Sequence, residues 1–487
     1  MSPLPWLCCA GCGARVSADA ADPFRCPNAG RRDGRDHVLV PEPPPEAASI
    51  SFREERQPFL RYRELLWSYR LARACGLSDD DWSEMVGALD AKVQAVDGRG
   101  FEITPCAPSA SLGQALGLGP DAVWVKDETR NVSGSHKARH LFGIALALEV
   151  RERTGLADPA DRTRRELAIA SCGNAALAAA VIARAAGRPL RTFVPADAHP
   201  RVLSRLAELG ARVELCRREP GQSGDPCVTA FRAARARGAV PFCVQGSENG
   251  LTIEGGETLA WEMAEAFAAA DVAPTRLMVQ TGGGALASAC VAGLRLAIAH
   301  HMLRRMPRLH AVQTVGAWPL RRAWERVAAR ALVGSERRAP VPSLGPEPPE
   351  SPCGDATGAG SDGEFAEALI MPGLAGRVRG AMRHAREHRG DYMWPWESAP
   401  KSLAHGILDD ETYDWATVVE GTLESGGWPV TVTEQRLAEA LAIARRSTGI
   451  ATDATGAAGL AGLMELEHAQ VIGPHERVAV LFTGAER

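Results

Sequence analysis

The chain has 487 residues, with 55 lysines and arginines against 59 aspartates and glutamates and a formal net charge of −4. That length exceeds what one hydrophobic core normally supports, so at least two lobes with smaller attachments are expected. The near balance of charge excludes a polyelectrolyte nucleic-acid binder, and any phosphate should be held locally.

No segment holds about 18 uncharged apolar residues, the length that spans a bilayer. The N-terminal MSPLPWLCCAGCG also lacks a basic region followed by a long apolar run, so the sequence reads as soluble and unprocessed. Of the 12 cysteines, Cys8, Cys9 and Cys12 cluster, while others such as Cys216 and Cys243 lie singly in apolar segments. This is reduced, cytoplasmic usage and not a disulfide framework.

In chain order, residues 1–45 form a small cysteine-bearing appendage ending in the Pro-rich linker PEPPPEAAS. Residues 46–100 carry helical patterns in FLRYRELLWSYRLARACG and DDDWSEMVGALDAKVQAV, the second opening on acids suited to a helix N-terminus. From residue 101 short strands alternate with helices. AVWVKDE, ELAIASC, LRTFVPA, ARVELCR, VPFCVQG, RLMVQTG and RLHAVQT read as buried strands. The helices between them include NAALAAAVIARAAG, HPRVLSRLAELG, TAFRAARARG, EGGETLAWEMAEAFAAA and ALASACVAGLRLAIAHHMLRR. The rhythm implies an α/β fold of mainly parallel sheets flanked by helices, whose ligands gather where strands end and helices begin. A Pro-, Gly- and Ser-rich stretch marks an insertion or lid at about 331–400, after which EQRLAEALAIARRSTGI, TDATGAAGLAGLMELEH and the strand RVAVLFTG resume the pattern.

Four motifs stand at such strand–helix junctions. In SGSHK, Ser133 to Lys137, hydroxyls and free amides at a helix start attract phosphate, and a lysine beside phosphate is a Schiff-base candidate. A solvated lysine at a helix start fits the same five residues. SCGNAA, Ser171 to Ala176, aims amides and the Asn174 side chain at an oxyanion or carboxylate, or is an ordinary turn with Asn174 as its cap. TGGGALAS, Thr281 to Ser288, lets several N–H groups converge on an anion. A dinucleotide reading of it needs an acid at the end of the next strand, where RLHAVQT has Gln313 and Thr314. The closing VAVLFTG delivers Thr483 to a strand end.

Taken together and in this order, the motifs over residues 101–487 resemble the fold type II pyridoxal-phosphate enzymes, the tryptophan synthase β-like group, and threonine synthase most of all. The resemblance implies a two-lobed catalytic domain, pyridoxal 5'-phosphate as cofactor, an amino-acid substrate and a homodimer. Lys137 would anchor the cofactor covalently and act as the base at Cα. Asn174 would bond the pyridine hydroxyl oxygen, Gly282, Gly283, Gly284 and Ala285 would cradle the phosphate beside His136, and Thr483 would face the pyridine nitrogen. Ser133, Ser171, Cys172 and Gly173 would meet the substrate. A hydroxyl at the ring nitrogen cannot hold it protonated as a carboxylate would, which suits β or γ elimination and replacement.

Three departures qualify the match. His136 stands where threonine synthases usually have an aromatic residue, Cys172 replaces a hydroxyl, and the insertion at about 331–400 sits near the expected pocket entrance. A lyase or replacement enzyme is therefore expected, of threonine synthase type, or a dehydratase or diaminopropionate-type ammonia-lyase, with a non-catalytic relative as the rival. The N-terminal cysteines also resemble a small zinc ribbon found on some threonine synthase relatives. Its second pair is broken, since Cys26 is followed by Pro-Asn-Ala, so Cys9, Cys12 and Cys26 would need His37 or Cys8 to complete a four-ligand shell.

Overall fold

The computed structural model describes residues 3–30, 33–44, 54–218, 224–333, 366, 374–398 and 400–486. Its strands are β1 (Trp6–Cys9), β2 (Arg15–Ser17), β3 (Leu39–Pro41), β4 (Cys106–Pro108), β5 (Val123–Asp127), β6 (Leu167–Ala170), β7 (Leu190–Pro195), β8 (Arg212–Cys216), β9 (Val240–Pro241), β10 (Arg276–Gln280), β11 (Arg308–Thr314), β12 (Val430–Val432) and β13 (Val478–Phe482). They fall into two compact units. The first comprises Met1–Arg31, His37–Thr104 and Arg130–Glu262, the second Arg32–Asp36, Pro105–Thr129 and Met263–Arg487.

The first unit holds a parallel four-stranded sheet in the order β8-β7-β6-β9 and an antiparallel three-stranded sheet in the order β2-β1-β3. All four residues of β6, LAIA, are buried, as expected of a strand covered on both faces. The expected strand VPFCVQG is shortened to Val240–Pro241 at the sheet edge, where the Val240 and Phe242 amides bond β6 and Pro241 turns its nitrogen outward. Helix Asp79–Asp97 starts as its acids foretell, with a capping box between Ser78 and Asp81. The helical pattern before it breaks into Pro58–Arg61, a tight turn at Arg63–Leu65, and Trp67–Ala74. Leu66 is extended and cannot cap the last of these. The carboxylate of Glu254 does so instead, accepting from the amides of Trp67 and Ser68.

The second unit is built on a six-stranded sheet, β12-β11-β10-β13-β5-β4, parallel except for the antiparallel edge strand β4. Strands β5, β10 and β13 are buried along their whole length. Because β10 lies beside β13, the residues following the two strands emerge next to each other. The long helix expected to run to Arg305 ends at Ala299, and His301 turns the chain with a φ of 59°.

Most of the expected insertion, residues 334–365, 367–373 and 399, lies outside the described residues. Its C-terminal part contains helix Ala375–Glu387 and then DYMWPWE, which packs on helix Pro319–Val333. There the Arg322 guanidinium lies 3.6 Å from the Trp394 ring and 5.1 Å from the Trp396 ring. Among the described residues, no helix is long and apolar enough to cross a membrane.

Candidate cofactor site

In the first unit, Lys137 is the first residue of helix Lys137–Arg153. Asn131 organises the turn before it, accepting from the Val132 amide at 2.8 Å and donating to the Ser135 carbonyl at 3.3 Å. Ser133 and Gly134 are consecutive left-handed residues, with φ of 53° and 62°, and this is why a Ser-Gly pair stands there. The Ser133 amide is taken by Asp97 Oδ2 at 2.7 Å. Ser135 is completely buried, and its hydroxyl has no partner among the described residues. His136 occupies the helix cap position, its ring edge-on to His140 at 5.7 Å.

Two features fix the direction of the lysine helix. Arg139, wholly buried, forms a forked pair with Glu262 at 2.6 and 3.0 Å, and also donates to Thr104 and Thr258. Gly143 and Gly255 let the lysine helix and helix Thr252–Ala269 approach closely. A Cβ on Gly255 would lie 2.0 Å from the Arg139 carbonyl oxygen, and one on Gly143 2.9 Å from Gly255 Cα.

Asn174 opens helix Asn174–Ala185 directly after the β6 strand end. Gly173 takes the cap position, so Asn174 is not the cap that an ordinary turn would make of it. Its amide side chain therefore stands at a helix N-terminus that has no side-chain cap. Ser171 Oγ accepts from the Gly173 amide at 3.4 Å, Cys172 is exposed, and Ser171, Gly173 and Asn174 are half-buried. The turn Val132–Gly134 packs against this helix, so the lysine and asparagine motifs are neighbours within the first unit.

In the second unit, the three glycines after β10 lead into helix Ala285–Ala299, with Gly284 left-handed at a φ of 95°. Residues 407–414 cover one side of them. Thr412 Oγ1 donates to the Gly282 carbonyl at 2.9 Å, and the Asp414 amide donates to the Gly283 carbonyl at 3.0 Å. In a trans peptide the C=O and N–H point opposite ways, so pinning these carbonyls turns the amides of Gly283 and Gly284 to the other side. Together with the helix N-terminus they present several N–H groups on one side of the loop.

Thr483 follows β13 and is buried. Gln280, the last residue of β10, reaches it: Nε2 lies 2.7 Å from Thr483 Oγ1, and 3.2, 2.9 and 3.0 Å from the carbonyl oxygens of Thr455, Gly456 and Leu481. Three carbonyls can only accept, which assigns the nitrogen of the amide to this side and makes the Thr483 oxygen an acceptor too. The hydroxyl proton of Thr483 is thereby turned away from Gln280.

Cys9, Cys12, Cys26 and His37 come together in the first unit, whereas Cys8 stands outside the cluster. Gln280, Thr412 and Asp414 are residues around the candidate site that the motifs do not disclose. Gln280 could have been singled out as a polar residue ending a buried strand, and the DDETYD run as acids placed just after Gly406.

The Mus musculus protein named L-serine dehydratase/L-threonine deaminase is 28% identical over 192 residues, 39% of this chain and 52% of that protein. L-serine dehydratase of Saccharomyces cerevisiae (strain AWRI1631) is 26% identical over 224 residues, 44% of this chain and 63% of that protein. The chain thus spans between about half and just under two thirds of the length of these curated relatives. Among solved structures, a threonine deaminase from T.th. superposes with a TM-score of 0.52 at 20% identity, covering 82% of this chain and 98% of that one. Diaminopropionate ammonia lyase from Escherichia coli gives 0.55 at 15% identity, covering 89% and 92%. At such identities the solved structures share the fold. The family model described as pyridoxal-phosphate dependent enzyme matches residues 99–366, more than half of the chain, and the chain belongs to that family.

Proposed function

We propose that the chain is a pyridoxal-phosphate-dependent lyase that removes a β substituent and the amino group from a small amino acid, in the manner of serine and threonine deaminases. The observation that carries this reading is the hydrogen bond from Gln280 to Thr483. It leaves the Thr483 hydroxyl as a donor, which suits an unprotonated ring nitrogen.

The residues fit the cofactor. The amides of Gly283 and Gly284 are turned to one side by their pinned carbonyls, as a phosphate requires. The buried, partnerless hydroxyl of Ser135, two residues before Lys137, suits a polar ligand. When bound, pyridoxal phosphate supplies an electron sink for negative charge at the substrate Cα. Lys137 would hold it, Asn174 would bond the ring oxygen, Gly282 to Ala285 would bind the phosphate, and Thr483 would meet the ring nitrogen.

Lys137 Nζ, half-buried at the start of its helix, would take the proton from the substrate Cα. The amides at the start of helix Asn174–Ala185, with Ser171 and Ser133, orient the substrate carboxylate. Exposed Cys172 adds little to that task, because a thiol is a weak donor. A neutral hydroxyl at Thr483 favours elimination over transamination. The deaminase reading fits at least as well as the threonine synthase likeness of the sequence, because relatives are named serine dehydratase and threonine deaminase and His136 departs from the threonine synthase pattern.

The test is to supply the cofactor and assay L-serine, L-threonine and 2,3-diaminopropionate for ammonium and 2-oxo acid, and O-phosphohomoserine for phosphate. Ammonium from at least one of the first three, abolished in Lys137→Ala, is the expected result. Phosphate release from phosphohomoserine alone would return the chain to the threonine synthases.

A further inference from the structure

We propose that Cys9, Cys12, Cys26 and His37 bind one structural zinc ion, which holds the N-terminal hairpin against the far end of the helix that begins at Lys137. The four ligand atoms all lie within 4.8 Å of one another. Cys12 Sγ and Cys26 Sγ are 3.6 Å apart, and His37 Nδ1 is 3.6 Å from Cys9 Sγ and 3.5 Å from Cys26 Sγ. A tetrahedral ion with zinc–sulfur bonds of about 2.3 Å and a zinc–nitrogen bond of about 2.0 Å sets its sulfurs about 3.8 Å apart and sulfur and nitrogen about 3.5 Å apart. These three spacings match that geometry. They are too long for a disulfide, whose sulfurs are about 2.0 Å apart.

The chain supplies these ligands from three separate places. Cys9 and Cys12 flank the turn between β1 and β2, a tight knuckle closed by the Gly13 amide on the Cys9 carbonyl at 2.9 Å. Cys26 comes from the loop that follows, and His37 from the approach to β3. Strand alternation sends Cys8 to the other face of β1, so the ligand that replaces the missing fourth cysteine is His37.

A second observation is that the sulfurs are held as hydrogen-bond acceptors. Asn28 donates its backbone amide to Cys26 Sγ and its side-chain amide to Cys12 Sγ, both at 3.4 Å. Sulfurs bound to a metal are supported by such donors from outside the coordination shell. Three sulfurs and one imidazole select zinc among the common divalent ions, and four protein ligands leave no open position, so the site is structural.

Its position gives it a task. Arg151, in the last turn of the lysine helix, donates to the carbonyls of Ala18 and Ala20, the latter at 2.9 Å. The Gly250 amide donates to the Phe24 carbonyl at 3.2 Å, and Trp67 Nε1 donates to the Trp6 carbonyl at 3.2 Å. A Cβ on Gly250 would lie 2.1 Å from the Leu39 carbonyl oxygen, so only glycine admits the hairpin at that distance. The small three-stranded sheet has too little core to keep its shape alone, and a metal supplies what the core lacks.

The full-length protein, purified without chelator, should hold about one zinc per chain by elemental analysis. Cys12→Ser and His37→Ala should lose it, whereas Cys8→Ser should retain it. Cobalt supplied in place of zinc should give the thiolate charge-transfer and visible bands of a tetrahedral site. On the unmutated protein, a chelator with a thiol-blocking mercurial should release the zinc and speed proteolysis within residues 3–41. Metal-free protein that takes up no zinc on titration would overturn the proposal, as would loss of metal from Cys8→Ser to the same extent as from Cys12→Ser, or stoichiometric iron in place of zinc. None of these readouts depends on the proposed reaction.

Discussion

Gln280 Nε2 donates to Thr483 Oγ1 across the neighbouring strands β10 and β13, at 2.7 Å. The same nitrogen faces three backbone carbonyls, so the amide cannot turn over and the Thr483 proton points away from Gln280. Gln280→Ala should lower kcat by about tenfold to a hundredfold with little change in KM, the mark of a group that positions another and does not bind substrate. Gln280→Glu would set a carboxylate against the three carbonyls and compete for the Thr483 proton, so it should be worse than the alanine variant. Steady-state kinetics on both variants, with the visible band of the bound cofactor as a check on occupancy, decides this. Equal, unimpaired turnover in both would remove Gln280 from the site.

The glycine loop makes a graded prediction. A Cβ on Gly282 would lie 2.3 Å from Asp409 Oδ2 and 2.7 Å from Ile407 Cα, whereas one on Gly283 meets Tyr413 Cδ2 at 3.1 Å. Gly282→Ala must push the covering segment away and should weaken cofactor binding by at least about tenfold, equivalent to about 1.4 kcal/mol. Gly283→Ala should cost less. Cofactor titration followed by absorbance would rank the two, and the reverse order would contradict the geometry.

Arg139 and Glu262 are both wholly shielded from water, and each satisfies the other. Glu262→Ala leaves a guanidinium buried without its carboxylate, which costs about 3–5 kcal/mol. A replacement that removes both charges, Arg139→Met with Glu262→Leu, should recover much of that loss, since a hydrophobic pair of similar volume avoids the desolvation cost. Thermal unfolding of the single and double variants measures the coupling. A Glu262→Ala protein as stable as the parent would show that the fork does not hold the lysine helix.

Stability should fall with rising pH because of two buried acids in the first unit. Burial pushes Glu254 up to about 7, against the opposing pull of Arg70, and burial with the Glu254 charge pushes Glu257 up to about 8. In the unfolded chain both return towards 4.5. Between that value and the folded ones, the native state binds more protons than the unfolded state. The contribution is therefore fully present below about pH 4.5 and is lost as pH rises towards 8. Glu257→Gln, which never ionises, should show a flatter dependence of Tm on pH between these limits. Parallel Tm curves for the two proteins would refute the assignment.

The sequence disclosed the parallel strands well, because ELAIAS, RLMVQ and VAVLF are short apolar runs bounded by turn residues, and a strand covered on both faces needs nothing else. It disclosed the four junction motifs for a related reason: each is local, a few residues wide, and sits where a strand hands over to a helix. What it hid is what depends on partners far along the chain. The cap of helix Trp67–Ala74 comes from Glu254, the support of Thr483 comes from Gln280, and the cover over the glycines comes from residues 407–414. Strands β4 and β12 were equally hidden, since three-residue edge strands carry too little pattern to separate from loop. The sequence leaves the fourth member of the cysteine cluster open between His37 and Cys8, and the structure brings His37 to it.

A cradle made of peptide amides, such as those of Gly283 and Gly284, has no side chain of its own that can be exchanged to strengthen or weaken its grip. The angle of the Gly282–Gly283 peptide plane is held instead by Thr412, 130 positions away in sequence. Thr412→Val keeps the shape and deletes the donor, leaving that plane free to rock. On the proposed phosphate role, affinity would thus be tuned at a threonine outside the loop, while the three glycines stay unchanged.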